Sequence, residues 1–465
     1  MGYQKIEKNA EQRSGRVLKQ QTRKSPESIF PSEPERLNIY QYPPPIAVGE
    51  PEKKAFFEKL ELSKPLDASE PFTIFVSVPY CRTRCNSCPY FKALLPTKEP
   101  NETIGKYAST IEKQVAFYAS KERFRNARLG SVYLGGGTAS LLSSGQVVQI
   151  VELINSSFKS KGAEITLEGN PKELKSEAYL HEVAGHGVNR VSMGYQSKQE
   201  RLLEELLGSP HSAEEGQMAL NAVMRAGFNT VNVDLLYGVP GQKFGEWKYD
   251  LSEVVKTGPE SITINSYIVY PHTLTAYRIA HGIMEEPISG DERHKWYLYA
   301  RKKFLESGYV QARTGSFVKP GHEQIYAELA YEKSKESIPI GAGAYGLING
   351  YMFRATGSPD KFMDNISEGL FTSPDFQSIK ASKEIMMDRY VMQNLSHRRI
   401  YLEEFKQTFG LDLRDVYPTQ FERMEASGLV KKDEEKITLT DLGVRWHQNI
   451  FRMFVSEEVK GLLRN

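Results

Sequence analysis

Between Phe72 and Val269 six strand-length runs rich in β-branched and aromatic residues alternate with helix-length amphipathic stretches. The runs are FTIFVSV, GSVYLGG, AEITLEG, VNRVSMG, NTVNVDLLYG and ESITINSYIV. The stretches between them, such as TIGKYASTIEKQVAFYASKERF and SSGQVVQIVELINSSFKS, are long enough to cross back over a sheet, which makes the strands parallel. Strands joined in this way close into a full or partial barrel or spread as an open sheet. Glycines and polar residues recur just after the strand ends, on the face where barrels build their sites, so a barrel is the expected form.

The flanks differ from this α/β centre. Residues 1–70 are polar and punctuated by proline, which predicts an extended arm with one short helix near EKKAFFEKLEL and little core. The barrel is expected over 71–350. From about 375 to 465 the alternation gives way to short helices and one strand, a small helical, winged-helix-like module. Such a shape suits DNA, but 60 basic against 58 acidic residues leave no basic stripe, so a lid or packing domain is the simpler expectation. The same balance argues against nucleic acid as a partner and in favour of a small molecule. No apolar run reaches membrane-spanning length and the first residues lack a hydrophobic signal core, which points to the cytoplasm.

All three cysteines of the chain, Cys81, Cys85 and Cys88, follow the first strand as C-x3-C-x2-C. In a reducing compartment an odd, clustered set of thiols suits metal better than disulfides. Tetrahedral zinc wants a fourth ligand, and the first histidine of the chain is His181. A 4Fe-4S cluster on three cysteines leaves one iron free for a small molecule.

The second strand runs into GGGTAS, whose glycines let backbone approach a ligand, although such turns are structural more often than not. Glu168 closes the third strand, where it suits a cationic amine or merely steadies a turn. Gln196 and Asp234 end the next two strands, an amide and an acceptor for ribose hydroxyls; a lone strand-end aspartate is usually just solvated.

The cysteine spacing at the end of a first barrel strand resembles the radical S-adenosylmethionine (SAM) superfamily. There SAM binds the open iron, and its reductive cleavage yields a 5'-deoxyadenosyl radical. The phrases VSVPYCRTRC, VYLGGGTASLL, LEGNPKEL, GVNRVSMGYQS, VNVDLLYGVPGQ, YPHTLTAY, SGYVQARTGSF, IPIGAGAYG and ITLTDLG are similar, in order and spacing, to the oxygen-independent coproporphyrinogen oxidase family and its relatives. The resemblance covers about residues 72–455. It implies a partial (β/α)6 barrel with a helical C-terminal domain, a 4Fe-4S cluster on Cys81, Cys85 and Cys88, and SAM beside Phe75, Ser87, Gly136, Gly137 and Glu168. Thr138, Gln196, Asp234 and Ile268 match positions that contact a second SAM. It further implies a tetrapyrrole or other bulky unsaturated substrate and an electron donor of flavodoxin or ferredoxin type.

The chain also departs from the family. Ser87 stands where an aromatic residue usually packs on the adenine, a role Tyr90 or Phe91 would have to take over. CPYF carries no further cysteine after the cluster motif, and LGSPH lacks an arginine the oxidase uses. These differences disfavour the decarboxylating oxidase. The family's haem-chaperone branch has a histidine phrase matched by HEQIYA, in which His322 offers an imidazole to haem iron, although a lone histidine in a polar loop more often faces solvent. A third branch holds methyltransferases and cyclopropanases. The expected activity is radical cleavage of SAM directed at a tetrapyrrole, with a methyltransferase or cyclopropanase and a non-catalytic haem chaperone as alternatives.

Overall fold

The computed structural model describes residues 25, 26, 30, 42–47, 56, 58–60, 64–86, 88–90, 93–271, 273–354, 356–371 and 377–464. The chain forms two compact units: Asn38–His397 with Ser456–Asn465, and Met1–Leu37 with Arg398–Val455.

The larger unit is built on six strands, β1 (Pro71–Val78), β2 (Arg128–Gly136), β3 (Glu164–Gly169), β4 (Arg190–Gln196), β5 (Thr230–Tyr237) and β6 (Ser261–Ser266). Each lies parallel to the next. The crossovers are α1 (Pro100–Ala119), α2 (Ser144–Ser157), α3 (Glu177–Gly185), α4 (Ala213–Arg225) and α5 (Phe244–Thr257), with α6 (Gly290–Glu306) after β6. Ser143 and Ser212 open α2 and α4 with capping boxes closed by Gln146 and Glu215, which satisfies amide donors that have no partner within the helix. This is the partial (β/α)6 barrel expected from the sequence.

Side-chain alternation explains how the barrel holds both a core and a lumen. Ile74, Val76, Val132, Leu134, Ile165 and Leu167 pack outward with Ile111, Val115, Val147, Ile150 and Val183 of the helices. A parallel strand covered on both faces ordinarily reads as unbroken apolar residues. Here many of the alternate positions are polar and still buried: Thr73, Ser131, Thr166, Ser192, Asn232 and Ser261. Register aligns these inner positions in rows, one being Phe75, Tyr133, Thr166, Arg190 and Thr230.

The sheet extends past the six expected strands. Beyond β6 lie β7 (Val310–Gln311) and β8 (Ser316–Val318), both antiparallel. On the other side β9 (Ser337–Ile340) runs parallel to β1 and is followed by the antiparallel β10 (Tyr345–Ile348), β11 (Tyr351–Arg354) and β12 (Gln377–Lys380). Strands of two to four residues are too short to display a period, which is why the sequence does not reveal them.

The described part of the arm contributes more core than expected. Ile46–Ala47 pairs with β12. Tyr42 is buried, its carbonyl accepts from Arg389 Nη1 at 2.6 Å, and its hydroxyl lies 3.4 Å from Asp388 and from Ser456. Phe56 and Leu60 join the barrel core. Three consecutive prolines, Pro43 to Pro45, restrict the backbone here and so lower the entropic cost of ordering it.

Helix α7 (Lys383–Ser396), grouped from sequence with the C-terminal module, belongs to the larger unit. The smaller unit has β13 (Arg399–Tyr401), β14 (Val430–Lys432) and β15 (Lys436–Leu439) in the order β13-β15-β14. With α8 (Leu402–Phe409) and α9 (Pro418–Ala426) they make a winged-helix arrangement, and Phe30 stacks on Trp446 at 5.7 Å. Among the described residues no helix is long and apolar enough to cross a membrane.

Candidate functional site

The cysteine loop leaves β1 at Val78. Tyr80–Cys81 pairs with Ala93–Leu94, and the Leu95 amide donates to the Cys81 carbonyl at 2.9 Å, so the loop closes on itself and returns beside its own start. Within it the Cys88 amide donates to the Cys85 carbonyl at 3.3 Å. None of the three cysteines is in a disulfide, and all are partly buried. Burial first, then the neighbouring Cys88 and Cys81, push the Cys85 thiol up to about 12. Burial raises Cys81 as well, partly offset by Thr138. Three thiols that oppose one another's ionisation become thiolates together only beside a strong positive charge, which a metal centre supplies. Among the described residues no group of three or more His, Cys, Asp or Glu side chains closes on a single ion. The donor set, three soft sulfur ligands on one loop, suits an iron-sulfur cluster on chemical grounds.

The glycine loop after β2 meets this loop directly. Thr138 Oγ1 lies 3.6 Å from Cys81 Sγ, and the Gly137 amide donates to the Val78 carbonyl at 2.8 Å. A β-carbon on Gly137 would lie 2.7 Å from the Tyr80 carbonyl oxygen, and Gly136 has φ +108°, so both positions require glycine. The Gly136 amide points to Glu168 Oε2 at 3.4 Å. Burial, reinforced by Asp234, pushes the Glu168 carboxyl up to about 7, while the Gly136 amide and the Tyr133 hydroxyl work in the opposite direction.

Asp234 stands in a polar network on the lumen wall. Asn232 Nδ2 donates to Asp234 Oδ1 at 3.1 Å and to Ser192 Oγ at 2.9 Å, and Ser192 Oγ donates to Asp234 Oδ2 at 3.2 Å. Asn232 Oδ1 accepts from Ser261 and Thr263 at 2.7 and 3.0 Å. Burial pushes Asp234 up to about 6 despite these donors. Gln196 sits at a bulge where the pairing of β4 with β5 shifts, with φ +64°, a conformation that side chains rarely adopt. Phe75 stacks on Tyr133 at 6.0 Å. Ile268 follows β6, next to Tyr267, whose amide donates to the Tyr237 carbonyl at 2.8 Å. Bonds and charge thus join Cys81, Gly136, Gly137, Thr138, Glu168 and Asp234 into one region. Ser87 and Phe91 lie outside the described residues, and Tyr90 is exposed.

At the opposite, N-terminal ends of the strands a single segment crosses the barrel. Lys319 N donates to the Glu260 carbonyl at 2.8 Å. Arg190 Nη1 donates to the His322 carbonyl at 3.2 Å, and Glu164 accepts from the Ile325 and Tyr326 amides at 3.2 and 3.0 Å. His322 Nδ1 is 2.9 Å from Thr230 Oγ1. His322 therefore sits at the end of the barrel away from the cysteines.

Sequence reasoning missed Tyr133, Ser192 and Asn232, which form the lumen wall. Their signal was present: polar residues at alternate positions of parallel strands.

Residues 390–446 match the HemN C-terminal domain family. The chain is 25% identical to "Heme chaperone HemW" of Lactococcus lactis over 84% of this chain and 99% of that protein. It is likewise 25% identical to "Heme chaperone HemW" of Escherichia coli, over 83% and 99%. The solved structure of coproporphyrinogen III oxidase (HemN) from Escherichia coli, a radical SAM enzyme, superposes with a TM-score of 0.73 at 19% identity, over 93% of this chain and 99% of that one, and shares the fold. With the cysteine loop, the glycine loop and the six-stranded partial barrel in these positions, the likenesses support a HemN/HemW-like radical SAM family for this chain.

Proposed function

We propose that the chain binds a 4Fe-4S cluster and SAM at the C-terminal end of the barrel and handles haem as a carrier, rather than oxidising coproporphyrinogen. Support for the carrier role comes from relatives named haem chaperones that match along nearly their whole length. The lack of a fourth cysteine, and of an arginine in LGSPH, weighs against the oxidase.

The observation that carries the cofactor reading is the meeting of two loops: Thr138 against Cys81, and Gly136 against Glu168. Cys81, Cys85 and Cys88 would hold the cluster. Gly136, Gly137, Thr138 and Glu168 would hold the amine end of SAM, with Phe75 and Ser87 beside it; Gln196, Asp234 and Ile268 suit ribose and base or a second SAM. Once bound, the pair supplies one-electron cleavage of a carbon-sulfur bond, fed by a donor of flavodoxin or ferredoxin type. The glycines admit the ligand, Glu168 and Asp234 offer negative charge to a cation, and the network around Asn232 fixes the Asp234 carboxylate. His322 is the proposed haem ligand. Thr230 holds its Nδ1, which orients the ring and leaves Nε2 for iron.

The intact cofactor region favours a second reading, radical chemistry on a tetrapyrrole. Anaerobic reconstitution followed by iron and sulfide assay, haem titration and a dithionite-driven assay for 5'-deoxyadenosine tests both. Four irons per chain with saturable haem binding and no deoxyadenosine support the carrier. Deoxyadenosine formation stimulated by a porphyrinogen supports the enzyme instead, and a protein that takes up no iron overturns both.

A further inference from the structure

Asn86 fastens the cysteine loop to two other parts of the barrel. Asn86, between Cys85 and Cys88, uses its backbone amide, its backbone carbonyl and its side-chain amide in different directions. Its N–H donates to the Leu207 carbonyl at 2.8 Å, and its Nδ2 donates to the Leu206 carbonyl at 3.1 Å. Its carbonyl accepts from the Thr275 amide and from Thr275 Oγ1, both at 3.3 Å. The buried Tyr267 hydroxyl, 2.7 Å from Thr275 Oγ1, completes the chain of bonds.

Leu206 and Leu207 end a π-helical turn, Leu202–Leu207, in the connection after β4, and Thr275 lies in the short helix Leu274–Ala280 after β6. Arg278 Nη1 donates to the Glu205 carbonyl at 3.1 Å and ties these two elements together. Gly208 ends the π-helical turn with φ +59°, and a β-carbon there would lie 2.9 Å from Asn86 Oδ1, so the slot is shaped to the asparagine. Isolated π-turns cost hydrogen-bond geometry and tend to occur where function needs them.

We infer that Asn86 is a positioning residue that staples the cysteine loop to the loops after β4 and β6, setting how firmly Cys85 and Cys88 hold their cluster. The inference rests on the cluster reading above. It also links the cysteines to the connection that follows Gln196 and to the helix Leu274–Ala280 downstream of Ile268.

The test uses the full chain and three variants, Asn86→Ala, Thr275→Val and Thr275→Ser. In metal-free protein, amide exchange in the peptide spanning residues 81–95 should speed up about fivefold in Asn86→Ala and Thr275→Val, the loss of one net hydrogen bond, and return towards wild type in Thr275→Ser. In reconstituted protein, bleaching of the cluster absorption by a chelator should quicken by a similar factor, with an altered electron paramagnetic resonance signal of the reduced cluster and an unchanged melting temperature of the barrel. Exchange and bleaching rates equal to wild type in both Asn86→Ala and Thr275→Val overturn the inference, as does faster exchange without faster bleaching. A wild-type protein that takes up no iron overturns the cluster reading itself, and the staple with it.

Discussion

A β-carbon built on Gly135 would lie 2.4 Å from Glu168 Oε2 and 2.6 Å from Tyr133 Cε1. The first glycine of the loop is thus the space into which the carboxylate fits, and the loop and the acid form one feature. Gly135→Ala should cost about 1–3 kcal/mol of stability through overpacking and weaken SAM binding more than about tenfold by displacing Glu168. Urea unfolding and calorimetric titration with SAM measure the two. Unchanged SAM affinity would separate Glu168 from the site.

Glu168 and Asp234 give the ligand-free protein a defined pH response. Their carboxyls are raised from the usual 4.5 and 3.8 to about 7 and about 6, chiefly by burial. The folded state then holds protons that the unfolded state has released, so this contribution to stability is complete below about pH 4 and is lost as pH rises through 6 and 7. The stability of wild type relative to Glu168→Gln should fall between pH 5 and pH 8. Binding of SAM, whose sulfonium and amine are cationic, should strengthen over the same interval, and the slope should flatten in Glu168→Gln.

Asn232 makes four side-chain hydrogen bonds while buried, so truncation leaves Ser261, Thr263 and Asp234 short of partners. Asn232→Leu should cost about 2–4 kcal/mol, seen as a lower denaturation midpoint. Asn232→Ala, with room for water, should cost less.

His322 and the cysteines occupy opposite ends of the barrel. His322→Ala should therefore lower haem affinity by about tenfold or more and remove the Soret shift of an imidazole-bound haem, while SAM affinity stays within about twofold. An unaltered haem titration would exclude His322 as the ligand.

The barrel was legible because each of its strands is long enough to show a pattern and each crossover carries a helix period. The sequence marks the three cysteines as candidates by spacing alone, and Glu168, Gln196 and Asp234 by their place at successive strand ends. The strands Ser337–Ile340 and Val310–Gln311 were not, being too short to show a period, and the first is decided by a partner distant in sequence. Asn86 was equally hidden: an asparagine between two cysteines reads as a loop residue until Leu207 and Thr275 fold against it. Tyr42, set in a proline-rich stretch, gave no sign that Arg389 would bind its carbonyl.

The segment that Glu164 and Arg190 bind across the strand beginnings stoppers the barrel, with the Tyr326 ring 5.3 Å from Tyr133 as the inner face of the plug. Among the described residues this segment covers the lumen at the strand beginnings. Any molecule that rests on this floor is therefore expected to come and go from the cysteine end.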